Sequence, residues 1–148
     1  MVAAASRDIV IEATPAEVMG VLLDLESLPD WSPVHDTVQI LDRDDQGRPS
    51  RSREVVKILG FSEEQVLRYT THADGVSWTL ESATQQRTQD GRYTLTPVGD
   101  STRVRFEFAV DLVMPVPGFF VKQGAKVVVD TATRGLRRRV LKVQSGRA

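Results

Sequence analysis

Residues 102–143 constrain the fold more than any other part of this chain. Over 102–113, Val104, Phe106, Phe108, Val110 and Leu112 alternate with Arg103, Arg105, Glu107 and Asp111, the period-two pattern of a strand with one buried face. Pro115, Pro117 and Gly118 then break the chain, and from about 119 to 143 the pattern turns helical. At a helical step of about 100° per residue, Lys122, Lys126, Asp130, Arg134 and Arg137 share one side. Phe120, Val121, Gly124, Val127, Val128, Ala132 and Gly135 share the other. The centre of that apolar side is small: Gly124, Val128, Thr131 and Gly135. Each glycine costs a helix interior about 1 kcal/mol relative to alanine, so two on one face call for a packing or binding reason. Such a helix either packs unusually close to a sheet or roofs a cavity.

The preceding residues supply the sheet. Residues 7–12 alternate around Ile9 and Ile11 and read as a first strand, and Thr14-Pro15-Ala16-Glu17 is a capping-box helix start running to about Leu25. Leu28-Pro29-Asp30-Trp31-Ser32-Pro33 reads as a second short helix or tight loop. Strands are expected at 34–41, 52–59, 64–72, 76–82, 92–96 and 102–113, with turns at Asp44-Asp45-Gln46-Gly47, Ala73-Asp74-Gly75, Asp90-Gly91 and Gly99-Asp100. The expected fold is α+β: a curved antiparallel meander of about seven strands wrapped around one long C-terminal helix, about 37 Å at roughly 1.5 Å per residue. Two short helices follow the first strand. The 148 residues fit one domain spanning the chain.

Composition narrows the function by exclusion. There is no cysteine, which rules out disulfides, thiolate catalysis and cysteine-type zinc sites and suits a reducing cytoplasm. No metal or cofactor is expected. The N-terminal residues lack an export pattern and no apolar run is long enough to span a bilayer, so a cytoplasmic protein is expected. The net charge of −1 gives no general attraction to nucleic acid. Charge is unevenly spread: 8–45 holds ten acidic residues against Arg43 alone, whereas 134–148 holds six basic residues and no acidic one. That basic end, with Arg137, Arg138, Arg139 and Lys142, reads as a solvated helix terminus or as a docking surface for a protein partner. No interleaved aromatics point to nucleic acid.

The arrangement resembles the helix-grip fold of the START-like (SRPBCC) superfamily, in particular its polyketide cyclase/dehydrase and lipid transport branch and the small stand-alone actinobacterial members. The residues carrying the resemblance are the strand and helix start at 9–23, Leu28-Pro29-Asp30-Trp31-Ser32-Pro33 leading into 34–40, and Gly75-Val76-Ser77-Trp78. Further on come the hairpin from Tyr93-Thr94-Leu95-Thr96-Pro97 to Thr102-Arg103-Val104, and Val113-Met114-Pro115-Val116-Pro117-Gly118 before the helix. These are fold motifs rather than catalytic ones. The resemblance implies a cavity between sheet and helix for a hydrophobic ligand, lipid or polyketide-like. The residues expected to line it are Trp31, Tyr69, Trp78, Tyr93, Phe106, Phe108, Phe120, Gly124 and Val128, with Trp31 near the mouth. Some members are polyketide aromatase/cyclases or dehydratases, in which case Arg68, Tyr69, Trp78 and Tyr93 would position the substrate. Others are toxin-like or ribosome-associated.

Two points stay open in the sequence. In 66–72 either Val66, Arg68, Thr70 and His72 face inward, or Leu67, Tyr69 and Thr71 do. The cost of burying an unpaired Arg favours the second. His35 and His72 are the natural acid–base candidates, yet neither falls in a recognisable catalytic or metal-binding spacing, and no catalytic residue is assigned.

Overall fold

The computed structural model describes residues 1–146; Arg147, one of the six basic residues of the C-terminal segment, lies outside the described residues. Seven strands, β1 (Val2–Ile11), β2 (His35–Arg43), β3 (Pro49–Ile58), β4 (Phe61–His72), β5 (Gly75–Ser82), β6 (Gln86–Val98) and β7 (Ser101–Leu112), form one antiparallel sheet. Its order is β1-β7-β6-β5-β4-β3-β2. Consecutive strands pair through short turns from β2 to β7, and β1 closes the far edge by pairing with β7. This is the helix-grip α+β fold expected from the alternating strands and the long terminal helix.

Helix α1 (Pro15–Leu23) begins where the sequence indicates: Thr14 Oγ1 accepts from Glu17 N–H at 3.2 Å, and the Glu17 carboxylate accepts from Thr14 N–H at 2.9 Å. A 3₁₀ turn and the one-turn helix α2 (Leu28–Trp31) follow. The C-terminal helix has two α-helical stretches, α3 (Gly118–Asp130) and α4 (Leu136–Gln144), joined by a π-helical turn at Thr131–Gly135. There Leu136 N–H bonds to Thr131 O, five residues back. The Ala132 carbonyl is thereby passed over and accepts instead from the Tyr93 hydroxyl at 2.8 Å.

The core lies between the concave face of the sheet and α1, the π turn and α4. Ile11, Val18, Val104, Phe106, Leu136 and Val140 are all essentially fully buried there. Within α3, by contrast, only Val129 is buried. Its N-terminal half lies over the sheet without filling the space beneath.

One expected turn is absent. Asp90-Gly91 sits inside β6, which runs from Gln86 rather than Arg92, and the β5–β6 connection is at residues 83–85. Gly91 pairs with Trp78 across the strands, and a Cβ on Gly91 would lie 2.0 Å from Trp78 Cε2. The glycine is there to admit the indole, not to bend the chain. The β4 alternative resolves toward Tyr69: Leu67 and Tyr69 point inward, while Arg68 points out and pairs with Glu81 at 2.7 Å. The pairing with β5 shifts register between Val66 and Leu67, where Glu81 is the extra residue of β5, and Val66 is buried as well.

Candidate functional site

Beneath α3 the sheet and helix enclose a cavity of about 450 Å³, within the roughly 300–1,000 Å³ range of small-molecule sites. Its construction follows from period two in the strands. Along β7, Phe106, Phe108, Val110 and Leu112 carry one wall outward from the core. On β3, Glu54, Val56 and Ile58 do the same toward the β3–β4 turn. The roof is the small-residue helix face: Val121, Gly124, Ala125, Val128 and Thr131. Both glycines of that face border neighbours at van der Waals distance: a Cβ on Gly135 would lie 3.7 Å from the Trp31 ring, and one on Gly124 3.6 Å from Ile58 Cγ2 and 4.0 Å from Leu59 Cδ1. At the outer end Leu59, Phe61, Met114 and Phe120 border the cavity and are themselves exposed, forming an apolar rim.

Trp31, Trp78, Tyr93, Phe106, Phe108, Phe120, Gly124 and Val128 all border the cavity. Tyr69 stands behind the wall, its ring 5.8 Å from that of Trp78. The aromatic row continues from Trp78 to Tyr93 (5.9 Å) and Tyr93 to Phe106 (5.1 Å), giving a rigid inner end. Trp31 is not at the exposed rim. It packs beside Gly135 on the other side of the π turn, with its indole N–H 3.3 Å from Ser27 Oγ. Arg68 does not reach the cavity, because its side chain is 65% exposed on the outer face of the sheet. His72 is 2.7 Å from Ser77 Oγ on the strand pair β4–β5 and does not border the cavity.

The structure also builds a polar strip that the sequence reading did not single out. Glu54 is fully buried yet borders the cavity. Its Oε2 accepts from Ser52 Oγ and from the Tyr69 hydroxyl, each at 2.6 Å. Oε1 lies 3.4 Å from both His35 Nε2 and Gln65 Nε2. Burial alone would raise the Glu54 pKa, but the bonds and charge supplied by His35, Ser52 and Tyr69 outweigh it and hold the carboxyl below its ordinary value. The same burial, with the Glu54 charge next, pushes the Tyr69 hydroxyl well up, so it stays a donor. On the far side of His35, Nδ1 lies 2.7 Å from Ser32 Oγ. Along the floor Gln89 donates to Gln65 and Gln86 at 3.0 and 2.7 Å, Gln86 donates to Glu63 at 3.0 Å, and the Trp78 indole donates to Gln89 at 2.9 Å. One signal could have found part of the strip: with Tyr69 inward, period two on β4 brings Gln65 and Glu63 to the same face. Nothing local in the sequence joins Glu54 to His35, which meet only through the pairing of β2 with β3.

Among the described residues no cluster of His, Asp and Glu has the makings of a metal site. No helix among the described residues is long and apolar enough to cross a membrane. The basic helix end is partly neutralised within the fold: Arg137 pairs with Glu12 at 2.6 Å and Arg134 with Asp130 at 3.6 Å.

Comparison with known proteins agrees with this geometry. The chain is similar to a START superfamily protein from Mycobacterium smegmatis, with 27% identity, a TM-score of 0.86 and coverage of 95% of this chain and 98% of that one. It shares its fold with a protein from Thermus thermophilus (21% identity, TM-score 0.78, 97% and 99% coverage). The same holds for the Zhui aromatase/cyclase from a Streptomyces species (14% identity, TM-score 0.79, 96% and 95% coverage). No curated protein matches the chain. The model of the polyketide cyclase/dehydrase and lipid transport family matches residues 2–143, nearly the whole chain, and the protein belongs to that family.

Proposed function

We propose that this protein binds a hydrophobic small molecule, lipid or polyketide-like, in the cavity between its sheet and α3. The observation that carries the reading is the cavity itself: about 450 Å³, walled largely by aliphatic and aromatic side chains and roofed by a helix face of glycine, alanine and valine. Apolar cavities of this kind hold water poorly and take up apolar ligands. The aromatic inner end and the Gly124–Val128 roof are the surfaces such a ligand would touch. A cytoplasmic site of action is part of the proposal, supported by the cysteine-free composition. Native mass spectrometry of gently purified protein, followed by titration with fatty acids, isoprenoids, long-chain alcohols and aromatic polyketides, tests it. A bound or captured apolar molecule is expected; an empty protein that takes up none of the panel would overturn the reading.

One observation favours a second reading, catalysis as an aromatase/cyclase or dehydratase. His35 borders the cavity with Ser32 and Glu54 in reach, which is the placement a general acid–base needs. The outward Arg68 has no part in it. Conversion of a poly-β-keto substrate, abolished by His35→Ala, would establish that reading; no product from either protein would remove it.

A further inference from the structure

The polar contacts of the cavity say which apolar ligand it suits. Of the described residues that border the cavity, the histidines and carboxylates are His35, Glu54 and Glu63, and none is a lysine or arginine. Glu63 belongs to the outer part of the floor, where its carboxylate accepts from Gln86 Nε2 and from the backbone N–H of Gln85. Glu54 lies farther in, with both oxygens already engaged by Ser52, Tyr69, His35 and Gln65. An anionic headgroup entering this space would meet two carboxylates with no lysine or arginine to pair it, and His35 is already turned to Glu54 at 3.4 Å and to Ser32 at 2.7 Å; a desolvated unpaired charge is heavily penalised. A cationic headgroup fares no better, since Glu54 could accept it only by releasing donors it already holds.

Ser32 differs from the rest of the strip. Gln65, Gln86 and Gln89 bond mainly to one another and to their carboxylate neighbours. Among the described residues Ser32 Oγ has a single partner, His35 Nδ1 at 2.7 Å, yet it is buried and borders the cavity. A hydroxyl has one donor and two acceptor positions. Whether it donates to the imidazole or accepts from it, Ser32 keeps an acceptor position open for one more donor. His35, held on its other side by Glu54, fixes where that position points.

Resting on the cavity-binding reading above, we infer that the ligand is an uncharged amphiphile with an alcohol hydroxyl, which donates to Ser32 Oγ, and that fatty acids and other carboxylates are excluded. Leaving a buried polar group unpaired is what lets a site reject the analogue lacking its partner. Ser32 is therefore a specificity-determining residue, Glu54 the group that rejects anions, and His35 a positioning residue between them.

Four ligands of one chain length separate the possibilities: 1-dodecanol, dodecane, dodecanoate and dodecylamine, titrated at pH 8 below their aggregation limits. The chain has two tryptophans, Trp31 and Trp78, and both border the cavity, so intrinsic fluorescence reads occupancy directly. Dodecanol is expected to bind about tenfold or more tighter than dodecanoate or dodecylamine, and several-fold tighter than dodecane, the scale of one satisfied hydrogen bond. Ser32→Ala should bring dodecanol to the level of dodecane while leaving dodecane unchanged. Glu54→Gln should narrow the gap between alcohol and carboxylate; if that variant does not fold, the Ser32→Ala arm decides alone. Equal or tighter binding of dodecanoate or dodecylamine, or an alcohol-to-alkane ratio indifferent to Ser32→Ala, overturns the inference and leaves the cavity reading standing. Failure of all four ligands to bind overturns this inference, and failure of the wider panel of isoprenoids and aromatic polyketides as well overturns the cavity reading.

Discussion

The Trp78 indole covers the bare Cα of Gly91, its cross-strand partner, so closely that a single added methyl would lie 2.0 Å from the ring. Gly91→Ala must push Trp78 off the aromatic row and out of its bond to Gln89. Overpacking of this kind costs about 1–3 kcal/mol. The expected outcome is a lower melting temperature with an altered near-ultraviolet circular dichroism signal. An unchanged aromatic spectrum would show that the indole has room to move.

Glu54 ties stability to acid. Its folded pKa lies below the ordinary carboxyl value of 4.5, so its ionised form adds stability above that value, and the contribution is lost as pH falls through the lowered native one. Wild-type protein should therefore lose stability more steeply below about pH 4.5 than Glu54→Gln, while at neutral pH the variant should be weaker by about 1–3 kcal/mol, the cost of mispairing buried donors. Denaturant melts across pH 3–7 check both; parallel curves would contradict the assignment.

Leu59 has φ +49°, the one positive φ among the described non-glycine residues, and Gly60 follows at +87°. This is the two-residue turn of a hairpin, which prefers Asn-Gly. Leu59→Asn should stabilise the protein by about 0.5–1 kcal/mol through relief of left-handed strain, and should weaken uptake of an apolar ligand by thinning the rim. A stability loss would mean that Leu59 packing outweighs its backbone cost.

A Cβ on Gly124 meets only Ile58 Cγ2, at 3.6 Å, and Leu59 Cδ1, at 4.0 Å. Gly124→Ala should fit and stabilise α3 by about 0.5–1 kcal/mol. Gly124→Phe should occupy the cavity, leaving the melting temperature near wild type while abolishing ligand uptake. Retained uptake in a folded Gly124→Phe variant would place the ligand elsewhere.

The sheet and the terminal helix were legible because their signals are local: period two in β7, helical period after Pro117, a capping box at Thr14. The Asp90-Gly91 misreading shows the limit, since the same dipeptide serves a turn or a tight ring–backbone contact, and only the partner strand decides. The polar strip was hidden for the same reason. Glu54 reads as an ordinary strand carboxylate until β2 brings His35 beside it, and Ser32 reads as a loop residue until that histidine turns toward it. Arg68 was legible from the cost of burying an unpaired guanidinium.

The π turn makes the terminal helix a cantilever. Leu136, Val140 and the bond from Tyr93 to the Ala132 carbonyl clamp it at one end, whereas the overhanging α3 is retained by Val129 and by the Arg7–Asp130 ion pair. On the proposed function, lifting the overhang would leave the clamp intact and admit the ligand without loosening the structure that supports it. In amide exchange, α3 should open independently and first, with α4 following only on global unfolding.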